Sequence, residues 1–198
     1  MLTIATNSGL LQMDWYAGLL LGTLGLLVGS FLNVVIYRLP KMLERQWAAE
    51  CEQFAGKEAA PVETFNLMLP RSRCPHCGHP IAWYENIPVL SYLALVGKCS
   101  ACKAGISPRY PLVEIAVAAL FFYCIWTFGA NPSGYAWCAF SAILLTAALI
   151  DWDTTLLPDD IVLPLLWLGL ISAQLQWTQV LLANALWGAV GGYLFLWS

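Results

Sequence analysis

Five stretches of this chain are almost free of charge and run as apolar segments: Trp15 to Tyr37, Pro111 to Gly129, Tyr135 to Ile150, Ile161 to Leu175 and Val180 to the end. Crossing a hydrocarbon core as a helix takes about 20 predominantly apolar residues. The pattern therefore predicts an all-α polytopic membrane protein with helices near those positions. The polar stretch between the first and second segments divides the chain into a first transmembrane helix (1–37), an insert (38–110) and transmembrane helices 2–5 (111–198). Within the insert, Glu44 to Pro61 reads as a solvated, partly helical connector, and Phe65-Asn-Leu-Met-Leu-Pro70 as a segment suited to lie against a bilayer surface. The last apolar segment stops at Trp197-Ser198 with no polar cap and no basic stop, so the chain is expected to be a C-terminally truncated piece of a longer protein.

Composition agrees with a membrane location. With 60% hydrophobic and 11% charged residues and a mean hydropathy of +0.67, a soluble chain would lack polar surface. Charge adds orientation. All nine Lys and Arg residues lie from Arg38 to Arg109, beside six acidic residues (net +3), whereas the remainder has six acidic residues and no basic one. Arg38, Lys41 and Arg45 follow the first apolar segment and no basic residue precedes it, the reverse of a cleavable signal peptide. The positive-inside rule, although usually counted over loops of up to about 60 residues, then puts the insert in the cytoplasm and the N-terminus outside. Lys98, Lys103 and Arg109 agree from the insert's other end. In sequence order, Asn131 to Gly134 falls outside, Asp151 to Asp160 inside and Ala173 to Thr178 outside.

Glycines at i, i+4 spacing recur in the first helix (Gly18/Gly22, Gly25/Gly29) and the last (Gly188/Gly192). They let helix backbones approach closely, and are read as packing inside one bundle rather than as a dimer seam.

The insert carries two knuckles, Cys74-Pro-His-Cys77 and Cys99-Ser-Ala-Cys102. Each puts two thiolates on one tight turn, and together they supply four soft ligands for a closed tetrahedral site. Gly78 and Gly105 stand where such turns need conformational freedom. A reducing cytoplasm disfavours disulfides, and four thiolates leave no open coordination position, so the ligand set predicts structural zinc rather than iron or redox chemistry. Cys124 and Cys138 read as small core residues, and Cys51 falls in a polar stretch. Zinc ribbons often touch nucleic acid, but an excess of +3 interrupted by Glu44, Glu50, Glu52, Glu58 and Glu63 argues against that partner.

A second chemical signal is the acidic end of an apolar helix, Asp151-Trp-Asp153-Thr-Thr-Leu-Leu-Pro158-Asp159-Asp160, with no cation nearby in sequence. Two carboxylates sharing a proton activate water in aspartic proteases. Asp159 and Asp160, after Pro158 and before an apolar helix, are also explained by N-capping, and Asp153 by facing water. Asp151, nearest the membrane, is the functional candidate, since ionisable groups at membrane depth are functional by default. An ion or proton pathway would also use such a residue.

Together Gly29-Ser-Phe-Leu-Asn-Val-Val-Ile-Tyr-Arg-Leu-Pro40, Pro70-Arg-Ser-Arg-Cys-Pro-His-Cys77, Trp83-Tyr-Glu-Asn-Ile-Pro88, the second knuckle, Ile106-Ser-Pro-Arg-Tyr-Pro-Leu-Val-Glu114 and Asp151 to Asp159 resemble the bacterial prepilin leader peptidase/N-methyltransferase family of type IV pilus and type II secretion systems. The resemblance implies a bifunctional enzyme of the bacterial inner membrane. Such an enzyme cuts the basic leader of prepilins or pseudopilins at the cytoplasmic face, after the leader's last glycine, and methylates the new N-terminus with S-adenosylmethionine. It makes Asp151 the first catalytic aspartate. The second belongs to a Gly-x-Gly-Asp motif that these 198 residues do not contain; Asp153 and Asp159 are weak substitutes. Glu85, Asn86 and Gly97 become candidates for methyl transfer, although each also reads as a turn or tight-loop residue. The competing readings are a non-catalytic zinc-ribbon membrane scaffold and an ion or proton transporter using Asp151.

Overall fold

The computed structural model describes the backbone of residues 8–56 and 64–197, with side chains from 15 to 56 and from 64 to 195. Lys57 to Glu63, which includes the last residues of the expected connector, and Ser198 lie outside the described residues. The helices are α1 (Ser8–Phe54), α2 (Leu90–Ala94), α3 (Arg109–Phe128), α4 (Pro132–Thr154), α5 (Asp159–Gln174) and α6 (Leu182–Trp197), with a 3₁₀ turn at Trp83–Asn86. Among the described residues there is no strand, only two isolated bridges in the insert. Three helices, α1, α3 and α4, are long and apolar enough to cross a membrane. Of the other two expected spans, α5 forms at its predicted position with 16 residues, about 24 Å at 1.5 Å per residue, short of a core of about 30 Å, and α6 starts at Leu182, close to its predicted start.

The first helix differs from its expected end at Tyr37. A proline inside a helix removes a backbone bond and usually marks a boundary, yet α1 continues through Pro40 to Phe54. Tertiary packing overrides the breaker, because Arg38, Leu39 and Pro40 are all buried. Arg38 donates to the carbonyls of Asn66 (2.8 Å) and Pro70 (2.7 Å), and Arg45 stacks 4.2 Å over the Phe65 ring. The segment expected to lie on the bilayer is thus tied to α1, while Met68 and Leu69 stay exposed.

α1 and α3 pack antiparallel along a face of glycines. Gly18 and Gly22 of α1 stand against Phe122 and Ala118, and Gly25 and Gly29 against Ala118 and Glu114. This is packing within one bundle. Gly188 and Gly192 have nothing within 4 Å of where a side chain would sit. The tight α3–α4 turn has Asn131 as N-cap, accepting from the N–H groups of Ser133 (2.9 Å) and Gly134 (3.2 Å), with Pro132 opening the helix. The Phe128 and Trp137 rings stack across the hairpin, and Val117, Ile125 and Ile150 are the largest fully buried side chains among the described residues. Cys124 and Cys138 are buried in the same core.

This antiparallel order puts the end of α1, the start of α3 and the end of α4 on one side, where the insert also sits. Asn33 of α1 donates to the Tyr110 carbonyl (3.0 Å) at that level.

Candidate active site and metal centre

The two knuckles fold as near copies. Cys74 N–H donates to His79 O and Gly78 N–H to Cys74 O, both at 2.9 Å; Cys99 N–H donates to Ala104 O (2.8 Å) and Lys103 N–H to Cys99 O (3.1 Å). Antiparallel bridges close each one, Arg73 with Pro80 and Lys98 with Gly105. The left-handed residue is Gly78 in the first (φ 71°) and Lys103 in the second (φ 61°). Gly105, expected to give the second turn its freedom, is the bridge partner instead.

All four sulfur atoms lie within 4.8 Å of one another, and Cys74 and Cys102 are 3.8 Å apart. A tetrahedral ion with metal–sulfur bonds of about 2.3 Å sets its ligands about 3.8 Å apart, so the cluster is a metal-binding arrangement. Backbone N–H groups tune it. Those of Cys77 and His76 lower the Cys74 thiol to about 7, and those of Cys102 and Ala101 lower Cys99. The His79 N–H acts the same way on Cys77, but burial and the neighbouring thiols of Cys102, Cys74 and Cys99 prevail and push it up to about 11.

Glu85 joins the knuckles. It accepts from Ala82 N–H (2.9 Å) and lies 3.7 Å from His79 Nε2. Hydrogen bonding from the Ser100 hydroxyl, then from Ala82, holds its carboxyl below the usual range. Gly97 has φ 65°, and a side chain there would meet the Tyr92 hydroxyl at 2.8 Å. Asn86 is exposed, and its amide makes no hydrogen bond among the described residues.

Sequence reasoning gave Glu114 no role, yet it organises the junction of insert and helices. It is a buried carboxylate inside an apolar span and accepts the Val89 N–H at 2.7 Å. Ser30 of α1 faces the same carboxylate. The rule that singled out Asp151, an ionisable group at membrane depth, would have found it.

Asp151 sits exposed in the last turn of α4, on the insert side. Its carbonyl accepts the N–H of Thr155 (2.7 Å), a left-handed residue that ends the helix. Asp153 does not simply face water. Arg109 Nη1 donates to its Oδ1 at 2.8 Å and Nη2 lies 2.7 Å from Oδ2, so the cation absent from the local sequence comes from the start of α3. Asp159 and Asp160 occupy the first turn of α5, but Pro158 is the N-cap and no side-chain cap bond forms; their helix role is confined to the dipole. They line a cleft of about 230 Å³ with Leu43, Trp47 and residues 156–158. Among the described residues no hydrogen bond joins Asp151 to Asp153 or Asp159.

The fold and site define a helical, multi-spanning membrane protein with a tetracysteine metal-type centre on the side where one span ends in exposed aspartate. Residues 23–128 match the family described as Bacterial Peptidase A24 N-terminal domain, and residues 138–198 the Type IV leader peptidase family. The chain is similar to the protein named Prepilin leader peptidase/N-methyltransferase of Pseudomonas aeruginosa, 56% identical over 88% of this chain and 60% of that one. The same name is carried by relatives in Stutzerimonas stutzeri, 55% identical over 88% of this chain and 61% of the relative, and in Neisseria gonorrhoeae, 46% identical over 96% and 67%. No solved structure matches it. The chain belongs to the type IV leader peptidase family, and spans about three-fifths of the length of the first two of these relatives.

Proposed function

We propose that this chain provides the metal-bearing insert and the first catalytic aspartate of a prepilin leader peptidase that also methylates the amine it exposes. The observation that carries the reading is the placement of Asp151: an exposed carboxylate at the end of a span, on the insert side, in a chain 56% identical to a protein of that name. The same kinship favours an enzyme over a scaffold or a transporter. The substrates are prepilins or pseudopilins, whose basic leader and apolar helix meet at the depth where Asp151 emerges. The insert lies in the cytoplasm, the N-terminus outside, and the membrane is the bacterial inner membrane, in line with the confinement of all nine basic residues to Arg38–Arg109.

Peptide hydrolysis by aspartates needs one carboxylate to take a proton from water and a second, protonated, to polarise the carbonyl. Asp151 supplies one half. Asp153 is held by Arg109, and the family resemblance assigns the second half to a Gly-x-Gly-Asp aspartate outside these 198 residues, with Asp159 on the cleft as the weaker candidate.

Zinc is the ion that fits Cys74, Cys77, Cys99 and Cys102, and four thiolates make it structural. The ion would cross-link the knuckles and fix the insert. For methyl transfer, S-adenosylmethionine is the expected donor. Glu85, Asn86 and Gly97 remain the candidates for contact with it: Glu85 and Gly97 also hold the loop's shape, while the exposed Asn86 amide has no partner among the described residues.

The test is cleavage of a leader-bearing prepilin in membranes containing this chain, its Asp151→Asn variant, and versions of both extended through a Gly-x-Gly-Asp loop. Cleavage by the extended wild type alone supports the reading. Cleavage that survives Asp151→Asn refutes it.

A further inference from the structure

Between Glu85 and Lys98 the insert has no charged residue, and its apolar side chains recur at every third position, Ile87, Leu90, Leu93 and Val96. They are 40%, 65%, 66% and 77% exposed, and Trp83 and Tyr84 are exposed just before them. An apolar face of this kind needs a partner. Two geometric facts identify it.

The first is depth. The segment is pinned by the bond from Val89 N–H to Glu114 (2.7 Å). Glu114 lies more than one turn inside α3, about 7 Å beyond Arg109 along the axis. Its Cα stands against Gly29 of α1, more than two turns, about 13 Å, before Arg38. The segment therefore reaches deeper than the layer of cations made by Arg38, Lys41 and Arg109.

The second is the backbone. Irregular chain entering hydrocarbon must satisfy its own polar groups, because no water is there to do so. The Ile87 N–H donates to Ser91 Oγ (3.1 Å), whose hydroxyl donates to Tyr84 O (2.7 Å). The N–H groups of Leu95, Gly97 and Lys98 go to the carbonyls of Ser91, Tyr92 and Leu95 at 2.9, 2.8 and 3.1 Å. Valines take positive φ on both sides of α2, Val89 (φ 58°) and Val96 (φ 52°). A water-facing turn would use glycine or asparagine there. A side chain immersed in lipid has to be apolar.

We propose that residues 83–96 form a re-entrant interfacial turn. Ile87, Leu90, Leu93 and Val96 lie among the acyl chains of the leaflet on the insert side, with Trp83 and Tyr84 at the headgroups, where amphipathic rings accumulate. The metal centre is then held flat against the membrane by its own sequence.

The test reads depth rather than activity. A ketone-bearing unnatural residue carrying a hydroxylamine-linked nitroxide replaces Leu93 or, separately, Val96 in the complete gene product, which leaves all seven cysteines untouched. The protein is reconstituted, with its metal retained, in phosphatidylethanolamine/phosphatidylglycerol vesicles, and collisions with oxygen and with a water-soluble nickel chelate are measured by electron spin resonance. The oxygen-to-nickel ratio at both sites is expected several-fold above that at exposed Arg71, and near that at Leu112 on the outside of α3. A ratio equal to that at Arg71 puts the face in water and overturns the proposal. Exclusion of both reagents means that protein covers it, from the same chain or a partner, and overturns it equally.

Discussion

The glycine face between α1 and α3 predicts a graded response to a single added methyl group. At Gly22 the methyl has its nearest neighbour at 3.5 Å, an ordinary contact; at Gly18 it meets the Phe122 ring at 3.1 Å, and a ring can give way. At Gly25 it falls 2.8 Å from the Ala118 Cα, and at Gly29 2.7 Å from the Glu114 Cα. Backbone cannot yield locally. Carbon atoms prefer separations of about 3.5–4.0 Å, so either change drives the helices apart by roughly 0.8 Å and loosens every contact along the face. Overpacking of this kind costs about 1–3 kcal/mol, offset in part by the better helix propensity of Ala over Gly, about 1 kcal/mol. Gly25→Ala should thus destabilise by up to about 2 kcal/mol, and Gly29→Ala by more, because the same displacement pulls Glu114 from Ser30. Gly22→Ala should be neutral or slightly stabilising. One separation relieves both clashes, so Gly25→Ala/Gly29→Ala should cost clearly less than the sum of the two. Reversible unfolding in mixed lipid–detergent micelles with increasing dodecyl sulfate measures the series. Equal effects at Gly22 and Gly25, or full additivity of the pair, would refute the close-packing argument.

Three further outcomes follow from the insert and its junctions. Serine at any one of the four knuckle cysteines should abolish stoichiometric metal retention, and metal affinity should fall as pH is lowered, since every ligand must be a thiolate; with Cys77 at about 11 in the metal-free insert, calorimetry in buffers of different ionisation enthalpy should show protons released on binding. Glu85, held below its reference value of 4.5, contributes stability above that pH and loses it as pH falls through its folded value; the stability gap between wild type and Glu85→Gln in thermal unfolding should therefore narrow below about pH 4.5, and a gap that widens there would show the sign to be wrong. Arg109→Ala should cost no more than about 1 kcal/mol, because the pair with Asp153 is partly exposed and screened, and adding Asp153→Asn should cost little more in a double-mutant cycle.

Much of the fold was legible because membrane spans are written locally. An uncharged run of sufficient length is its own signal, and so is a pair of cysteines on a tight turn; α3, α4 and the tetracysteine cluster lie where periodicity and spacing put them. What was not legible depends on partners far away in sequence. Pro40 reads as a stop until Arg38 is seen bonded to Asn66 and Pro70. Asp153 reads as solvated until α3 brings Arg109 to it. Lys103 in a left-handed turn contradicts residue preference, and the paired backbone bonds of the second knuckle hold it there. Asp159 and Asp160 read as N-caps, but Pro158 takes the cap position and leaves their carboxylates to the cleft.

The motifs that carry the family resemblance fall into two physical kinds once their contacts are known. Most are joints. Gly29 gives Glu114 room and Ser30 faces its carboxylate, Glu114 holds Val89, Arg38 holds the returning chain at Asn66 and Pro70, and Arg109 holds the end of α4 through Asp153. These joints fasten the insert to the helices at its beginning, middle and end. The cation from Arg109 also meets α4 at its C-terminus, where the helix dipole favours positive charge and α4 has no basic residue of its own. The turn that carries Asp151 is thereby steadied from the insert's exit. Among the described residues of these motifs, the four cysteines, Asn86, Asp151 and Asp159 carry side-chain donor or acceptor atoms that none of these joints uses, which leaves them open to a ligand.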